Sequence, residues 1–190
     1  MMQKTVVEIT MSLDGFVAGT GISKKHPLGE GGERLHHWIF DGKTDADAVI
    51  INEFFQSNGA VIVGSRTYDT GIEEGWGGVS PFPFPAFVIC SKVPEKEVAG
   101  FIYVTGGINT ALNLASVAAD EKNVLVMGGA NIIQQYLKAK LVDGILIHIA
   151  PVLFSAGTRL FDLIGERIEL KKIKVIDTPA ATHIYYDVVK

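Results

Sequence analysis

The chain is short of cysteine: one, Cys90, in 190 residues. There is thus no intrachain disulfide, no cysteine-rich zinc site and no CxxC redox pair, so packing alone must hold the fold and the chain reads as intracellular. Cys90 closes the apolar run Ala86-Phe-Val-Ile-Cys90, where a buried, inert thiol is expected. Long hydrophobic runs are missing too. None approaches the ~18 to 20 apolar residues of a membrane helix, and the N-terminal residues lead into a strand pattern without a signal-peptide core. No membrane association and a cytoplasmic location are expected. Positive charge is in the minority, with 17 Lys and Arg against 21 Asp and Glu for a net charge of −4. Such a chain offers no broad basic surface to nucleic acid, and a small anionic ligand must be held by a few local groups. Internal repeats, low-complexity segments and linkers are also lacking. Residues 1–190 therefore read as one domain, long enough to bury its own core.

What is present is alternation. Short β-branched or fully apolar runs at 6–11, 60–63, 86–90, 101–104, 124–127 and 144–150 read as strands. Helical patterns at 45–56, 109–120 and 130–138 fall between them, the first opened by Asp45 and Asp47 at its positive dipole end. Strands that lack polar alternation and alternate with helices are buried on both faces, which predicts an α/β fold with a mostly parallel sheet. The runs 168–176 and 182–189 are separated by only Asp177-Thr-Pro-Ala-Ala181. That connection is too short for a parallel crossover, so antiparallel C-terminal strands are expected. Residues 19–42 and 70–85 read as long loops, rich in glycine or in glycine and proline, of the kind that carries function.

The strands end alike. Val124-Leu-Val-Met-Gly-Gly-Ala-Asn-Ile132 runs through two glycines into a helix, which suits close backbone approach and an anion at the helix N-terminus, or simply a tight turn. No GxGxxG is present, so this is not the dinucleotide fingerprint of a Rossmann fold. Val61-Ile-Val-Gly-Ser-Arg-Thr-Tyr68 ends in two hydroxyls and an arginine suited to phosphate, Cys90-Ser-Lys92 in a hydroxyl and a lysine, and Val104-Thr-Gly-Gly107 in glycines. Open α/β sheets bind ligands along such carboxyl ends. Ser12-Leu-Asp-Gly15 is either an Asx-type turn or a substrate contact. His36 and Trp38 are candidate walls of a pocket for a flat heterocycle, with surface packing as the alternative. His36 and His37 lack further ligands at suitable spacing, so no metal is expected. His148 reads as a satisfied core or edge histidine.

In this order, Ser12-Leu-Asp-Gly15, Val63-Gly-Ser-Arg-Thr67, Val126-Met-Gly-Gly-Ala130, Leu141-Val-Asp143 and Ala150-Pro-Val-Leu153, followed by Gly157 and Leu160-Phe161, resemble the dihydrofolate reductase-like superfamily. The resemblance is closest to stand-alone proteins similar to the reductase domain of bacterial riboflavin biosynthesis. It implies a three-layer fold with a mostly parallel central sheet, an antiparallel C-terminal part, and NADPH across the strands' carboxyl ends. Residue by residue it implies Gly64, Ser65, Arg66 and Thr67 as contacts to the adenosine phosphate and pyrophosphate. Ser91 and Lys92 would lie near the 2′-phosphate, and Gly128, Gly129, Ala130, Asn131 and Ile132 would hold the pyrophosphate toward the nicotinamide.

The departures bear on the substrate. Counting back from Gly64 without gaps puts the pterin-anchoring carboxylate of true dihydrofolate reductases at Ala48 and its threonine partner at Ile147; a one-residue slip would restore Asp47, but the loss of both partners disfavours folate. The riboflavin-pathway reductases usually carry lysine where this chain has Phe16, so a cation for a phosphorylated sugar is missing there. No zinc deaminase motif accompanies the domain. The expected function is an NADPH-dependent reductase acting on a small heterocycle or sugar adduct. Asp14 is the candidate catalytic residue, as polar anchor or proton relay, and Ser12, Asp14, His36 and Trp38 are the candidate substrate contacts. An NADPH-binding protein without a productive site is the alternative, and a domain with no ligand the third reading. The apolar C-terminal hairpin would expose an edge, so a homodimer is expected.

Overall fold

A computed structural model of the chain describes residues 2–162 and 164–190, with Met1 and Leu163 outside the description. In chain order the elements are β1 (Thr5–Ser12), β2 (Phe16–Ala18), a 3-10 helix (Gly32–His36), α1 (Asp45–Ser57), β3 (Asn58–Gly64), α2 (Ser65–Gly71), β4 (Ala86–Ile89), β5 (Phe101–Val104), α3 (Gly107–Ala119), β6 (Asn123–Gly128), α4 (Ala130–Lys138), β7 (Gly144–Ala150), β8 (Thr158–Arg159), β9 (Leu170–Asp177) and β10 (Thr182–Val188). Eight strands form one sheet in the order β5-β4-β3-β6-β1-β7-β10-β9, and β2 pairs with β8 apart from it. The first six strands of that order are parallel; β10 runs antiparallel to β7, and β9 to β10.

Both faces are covered, as the apolar strands require. Ile62, Val124, Val126, Ile145 and Ile147 pack with α3 and α4 around the fully buried Tyr136. On the other face Val61, Val63, Val88 and Leu125 meet Tyr68 and Ile72 of the α2 region. The strand period of two divides β1 between these layers: Val7, Ile9 and Met11 join the α3–α4 core, while Glu8, Thr10 and Ser12 face the α1 side. At one end of the sheet β9 is an exposed edge bearing Lys171, Lys172 and Lys174, charges that discourage pairing with another strand.

Local chemistry explains where the elements start and stop. Thr44 and Asp47 form a complete capping box at the head of α1: the Asp47 N–H donates to Thr44 Oγ1 at 3.3 Å and the Thr44 N–H donates to Asp47 Oδ2 at 2.8 Å. Four elements depart from the sequence reading, the short pair β2 and β8 among them. Ser65–Gly71 is helical without a turn residue between it and β3. The stretch read as an unbroken loop contains the 3-10 helix, which packs over β1, β2 and β7.

Candidate functional site

Because β3, β4, β5 and β6 are parallel, their carboxyl ends share one edge of the sheet, and three helices begin there directly. α2 starts after Gly64, α3 after Gly106 and α4 after Gly129, and none of the three has a side-chain cap. α1 instead carries the full box. The two central turns abut. A Cβ on Gly64 would lie 2.7 Å from Ile132 Cγ1, and one on Gly129 3.0 Å from Thr67 Oγ1. Gly128 has φ +126°, a conformation that side chains resist, and its peptide to Gly129 is cis. The sequence-predicted groups Gly64–Thr67 and Gly128–Ile132 therefore form one continuous backbone floor.

Beside this floor, at the end of β4, a cleft of about 140 Å³ is lined by Ser65, Tyr68, Cys90, Ser91, Lys92 and Tyr103. Tyr68 and Tyr103 close its back through a 2.7 Å bond between their hydroxyls. Burial pushes the Cys90 thiol up, so it lines the cleft as a neutral group. Ser91, Lys92 and the carboxylate Asp69 lie exposed along the cleft, Arg66 is exposed on α2, and among the described residues neither cation takes part in an ion pair. The edge thus brings together all eleven residues assigned above to a cofactor.

Asp14 has a different setting from the one anticipated. Its Oδ1 accepts from Ser12 Oγ at 2.6 Å and from the Phe154 N–H at 3.1 Å, and its Oδ2 accepts from the Ser155 N–H at 2.8 Å. The Ser12 hydroxyl, assisted by the Ser155 and Phe154 amides, outweighs burial and holds this carboxyl down to about 2. About three of its four acceptor positions are used and it stays ionised, so it braces the 152–155 segment and is unsuited to donate a proton. Ser12, fully buried, also accepts from the Phe16 N–H at 2.9 Å. The Arg159 guanidinium lies 4.5 Å over the Phe16 ring and donates to the Asp14 carbonyl at 3.3 Å. Beyond the brace a wider cleft of about 400 Å³ opens between Thr20, Glu30, Glu33 and Arg34 on one side and Leu153 and Phe154 on the other.

Trp38 is a core residue, only 3% exposed, and does not wall an open pocket. Its indole N–H donates to Thr10 Oγ1 at 3.0 Å, and its ring lies 4.3 Å from that of His148 and 4.9 Å from that of His183. This bond satisfies the only polar atom of the indole and lets the ring turn inward. His36 stays half-buried in the 3-10 helix; burial, then the nearby His148, keep its ring below the ordinary histidine range.

Beneath Trp38 lies a group of side chains that the motif reading did not assemble. Thr10, His148 and His183 are register neighbours across β1, β7 and β10. His183 Nε2 faces Asp47 Oδ1 at 3.0 Å, the two Nδ1 atoms of His183 and His148 are 2.7 Å apart, and His148 Nε2 faces Glu8 Oε1 at 3.4 Å. Thr178 also donates to Asp47 Oδ1, at 2.9 Å. Asp47, the residue beside the gapless count to Ala48, is thus fully engaged inside the protein. Ile147, counted as the threonine's place, points to the opposite face, into the α3–α4 core. One sequence signal was available: alternation along Val6-Val-Glu-Ile-Thr-Met11 puts Glu8 and Thr10 on a common inward face.

Comparison with known proteins agrees with this architecture. The chain is 24% identical over 177 residues, 90% of each chain, to the uncharacterized protein YwjB of Bacillus subtilis strain 168. A putative riboflavin biosynthesis protein from Shewanella sp. PV-4 superimposes with a TM-score of 0.76 at 22% identity, covering 99% of this chain and 100% of that one. A pyrimidine reductase-like protein from Corynebacterium diphtheriae gives a TM-score of 0.68 at 14% identity, covering 99% and 92%. The family profile of the RibD C-terminal domain matches residues 3–183, and the chain belongs to that family of reductase-like domains.

Proposed function

We propose that the protein is an NADPH-dependent reductase of a small heterocyclic or sugar-adduct substrate. The observation that carries this reading is the set of three uncapped helix starts on one sheet edge, next to the two exposed cations Arg66 and Lys92. An uncapped N-terminus leaves amide donors and the positive end of the helix dipole for an anion.

The residues fit a dinucleotide phosphate. Glycines at 64, 128 and 129 keep side chains off the floor, so backbone amides at the starts of α2 and α4 would meet the pyrophosphate. Ser65, Ser91 and Lys92, together with the carboxylate Asp69, line the cleft that would take the adenosine 2′-phosphate, and the exposed Arg66 next to Ser65 in α2 would pair with it in bidentate fashion. NADPH supplies a hydride when bound. The protein's share is to align the two reacting rings at the β1 and β6 ends of the edge and to shield them from water. Ser12 and Asp14 contribute by pinning the 152–155 segment. The Arg159 cation over Phe16 suits a substrate carrying an anionic group, as a sugar phosphate does.

The test is titration with NADPH followed by fluorescence and thermal shift, then oxidation against a panel of imine and carbonyl heterocycles and sugar adducts. Binding with oxidation is expected; no shift with NADPH up to millimolar concentration sinks the proposal. A second reading, nucleotide binding without turnover, is favoured by the engagement of Asp14 and the inward position of Trp38. It predicts the shift without oxidation by any member of the panel.

A further inference from the structure

Glu8, His148, His183 and Asp47 join β1, β7, β10 and α1 in one line of polar contacts: two hydrogen bonds, His148 to His183 and His183 to Asp47, and a longer 3.4 Å approach of Glu8 to His148. The line continues to the half-buried Thr44, whose hydroxyl donates to Asp47 Oδ2 at 2.6 Å. The side chains of His148, His183 and Asp47 are 3%, 0% and 0% exposed and that of Glu8 11%. An apolar set of similar volume would fasten β10 to α1 at less desolvation cost, so four titratable groups in sequence call for another explanation.

Proton counting supplies one. Two imidazole nitrogens 2.7 Å apart must share a single proton, since two bare nitrogens repel and two N–H groups collide. That proton dictates the rest. If it sits on His148 Nδ1, the neutral His148 ring has a bare Nε2, which accepts from a Glu8 carboxylic acid. His183 is then bare at Nδ1 and donates from Nε2 to an Asp47 carboxylate. If it sits on His183 Nδ1, every assignment inverts: His148 Nε2–H donates to a Glu8 carboxylate and Asp47 is the acid. Both arrangements place three protons on the three contacts and carry one negative charge. They interconvert when each proton crosses its own bond. The Glu8 O–H breaks as His148 Nε2–H forms, His148 Nδ1–H breaks as His183 Nδ1–H forms, and His183 Nε2–H breaks as Asp47 O–H forms.

We propose that this line is a proton relay that loads Asp47 from Glu8. α1 runs directly into β3, which begins at the amino edge of the sheet, so the head of α1 with Asp47 and Thr44 lies toward the carboxyl edge that carries the candidate site. Glu8 lies farther from that edge, on the flank where Glu53 of α1 accepts from the Tyr185 hydroxyl at 3.2 Å and pairs with Lys174 of β9 at 3.7 Å. The other groups around the line are His36 from the 3-10 helix and the neutral Trp38, Thr10 and Thr178. The relay rests on the reductase reading: hydride addition to a C=O or C=N carbon sends the π pair to the heteroatom, which must then take a proton. The first arrangement is the resting one. Burial, then Glu53, pushes Glu8 up to about 8, and burial holds His148 down to about 3. Burial and His148 keep His183 below its ordinary range. Asp47 is raised by burial but carried below its ordinary value by bonds from Thr44, Thr178 and His183.

The test is histidine-selective 15N NMR of the full chain, wild type and Glu8→Gln, from pH 6 to 9, with NADPH titrated into the same samples. Loss of the Glu8 proton draws the His148 proton to Nε2 and the Nδ1 link then fills from His183, which leaves the His183–Asp47 link without a proton and spanned by the Thr178 hydroxyl, 2.9 Å from Asp47 Oδ1 and 3.4 Å from His183 Nε2. Both rings should therefore exchange their protonated nitrogen in one shared transition near pH 8, and neither should change in Glu8→Gln. Rings that titrate separately, or a His183 transition that persists in Glu8→Gln, overturn the relay. If that variant does not fold, the wild-type midpoints decide: coincident midpoints support the relay and separate ones refute it. NADPH binding with unlinked rings refutes the relay and leaves the reductase reading standing. Linked rings without NADPH binding refute the reductase reading instead.

Discussion

Raising the pH from 6.5 to 8 is predicted to destabilise the fold through one buried carboxyl. Glu8 ionises near 4.5 in an unfolded chain and near 8 in the folded one. Between those values the folded state holds one proton more than the unfolded state, so stability falls as pH rises, by about 1.4 kcal/mol per pH unit. His148 works the other way. Its folded value near 3 against an ordinary 6.5 means the unfolded chain binds the extra proton in that interval, so stability rises with pH and the gain is complete by about 6.5. The two slopes oppose each other from about 4.5 to 6.5, and above 6.5 only the Glu8 slope is left. Over the remaining 1.5 pH units it amounts to roughly 2 kcal/mol, or about 4 to 8 °C in melting temperature for a chain of this size. Thermal melts of wild type and Glu8→Gln at pH 6.5 and 8 isolate this contribution, because all other groups are common to both proteins. The carboxamide introduced by Glu8→Gln can still donate to His148, and it does not titrate. Wild type should lose those degrees and the variant should not. Parallel curves for the two proteins would show that Glu8 keeps an ordinary affinity for its proton and would refute the reasoning.

Three further perturbations test the other parts. Arg66→Ala should weaken NADPH by roughly 10- to 100-fold, the worth of a charge-assisted phosphate pair, and weaken NADH much less; equal losses in isothermal titration would remove Arg66 from the 2′-phosphate. Tyr136→Phe deletes a 2.8 Å bond from a fully buried hydroxyl to the Ile108 carbonyl and should cost about 1 to 2 kcal/mol in urea unfolding. A loss near zero would mean that carbonyl has another partner. Asp14→Ala should speed hydrogen exchange at the Phe154 and Ser155 amides, and since the carboxyl is ionised down to about pH 2, wild-type exchange protection there should be insensitive to Asp14 titration from pH 4 to 7. Unchanged exchange in the variant would remove the brace.

Much of the fold was legible because apolar strand runs and helix patterns follow local rules. Phe101–Val104, Ala130–Lys138 and Gly144–Ala150 match the sequence reading to the residue, and the short connection before Thr182 correctly implied the antiparallel ending. α2 was hidden because Ser65-Arg-Thr-Tyr68 continues from β3 with no turn signal and too short a span to show a helical period. The proximity of Gly64–Thr67, Ser91–Lys92 and Gly128–Ile132 on one sheet edge was readable because these residues are contiguous at strand ends. The histidine layer was not, because its bonds join residues 35 to 140 positions apart, and only the sheet order makes them neighbours. The brace made by Asp14 was not legible for a related reason: its partners Phe154 and Ser155 are backbone amides, which leave no side-chain signature in a sequence.

The sheet order also sets a timetable for folding. β1 is made before the other strands of the sheet yet lies in its interior, between β6 and β7, with its first ladder contacts to Val124 and Gly144. Until β6 has been made, it has no strand of the main sheet to pair with, and Glu8 on its α1-facing side must wait longer still, for His148 of β7. The last strand, β10, delivers His183, which joins Asp47 to the rest of the buried line. Assembly therefore cannot proceed from the N-terminus outward, and long-range pairing of this kind is slow. Truncation within β10 would leave Asp47 and His148 without their shared partner, so the tail of the chain acts as the closing step for its earliest strand.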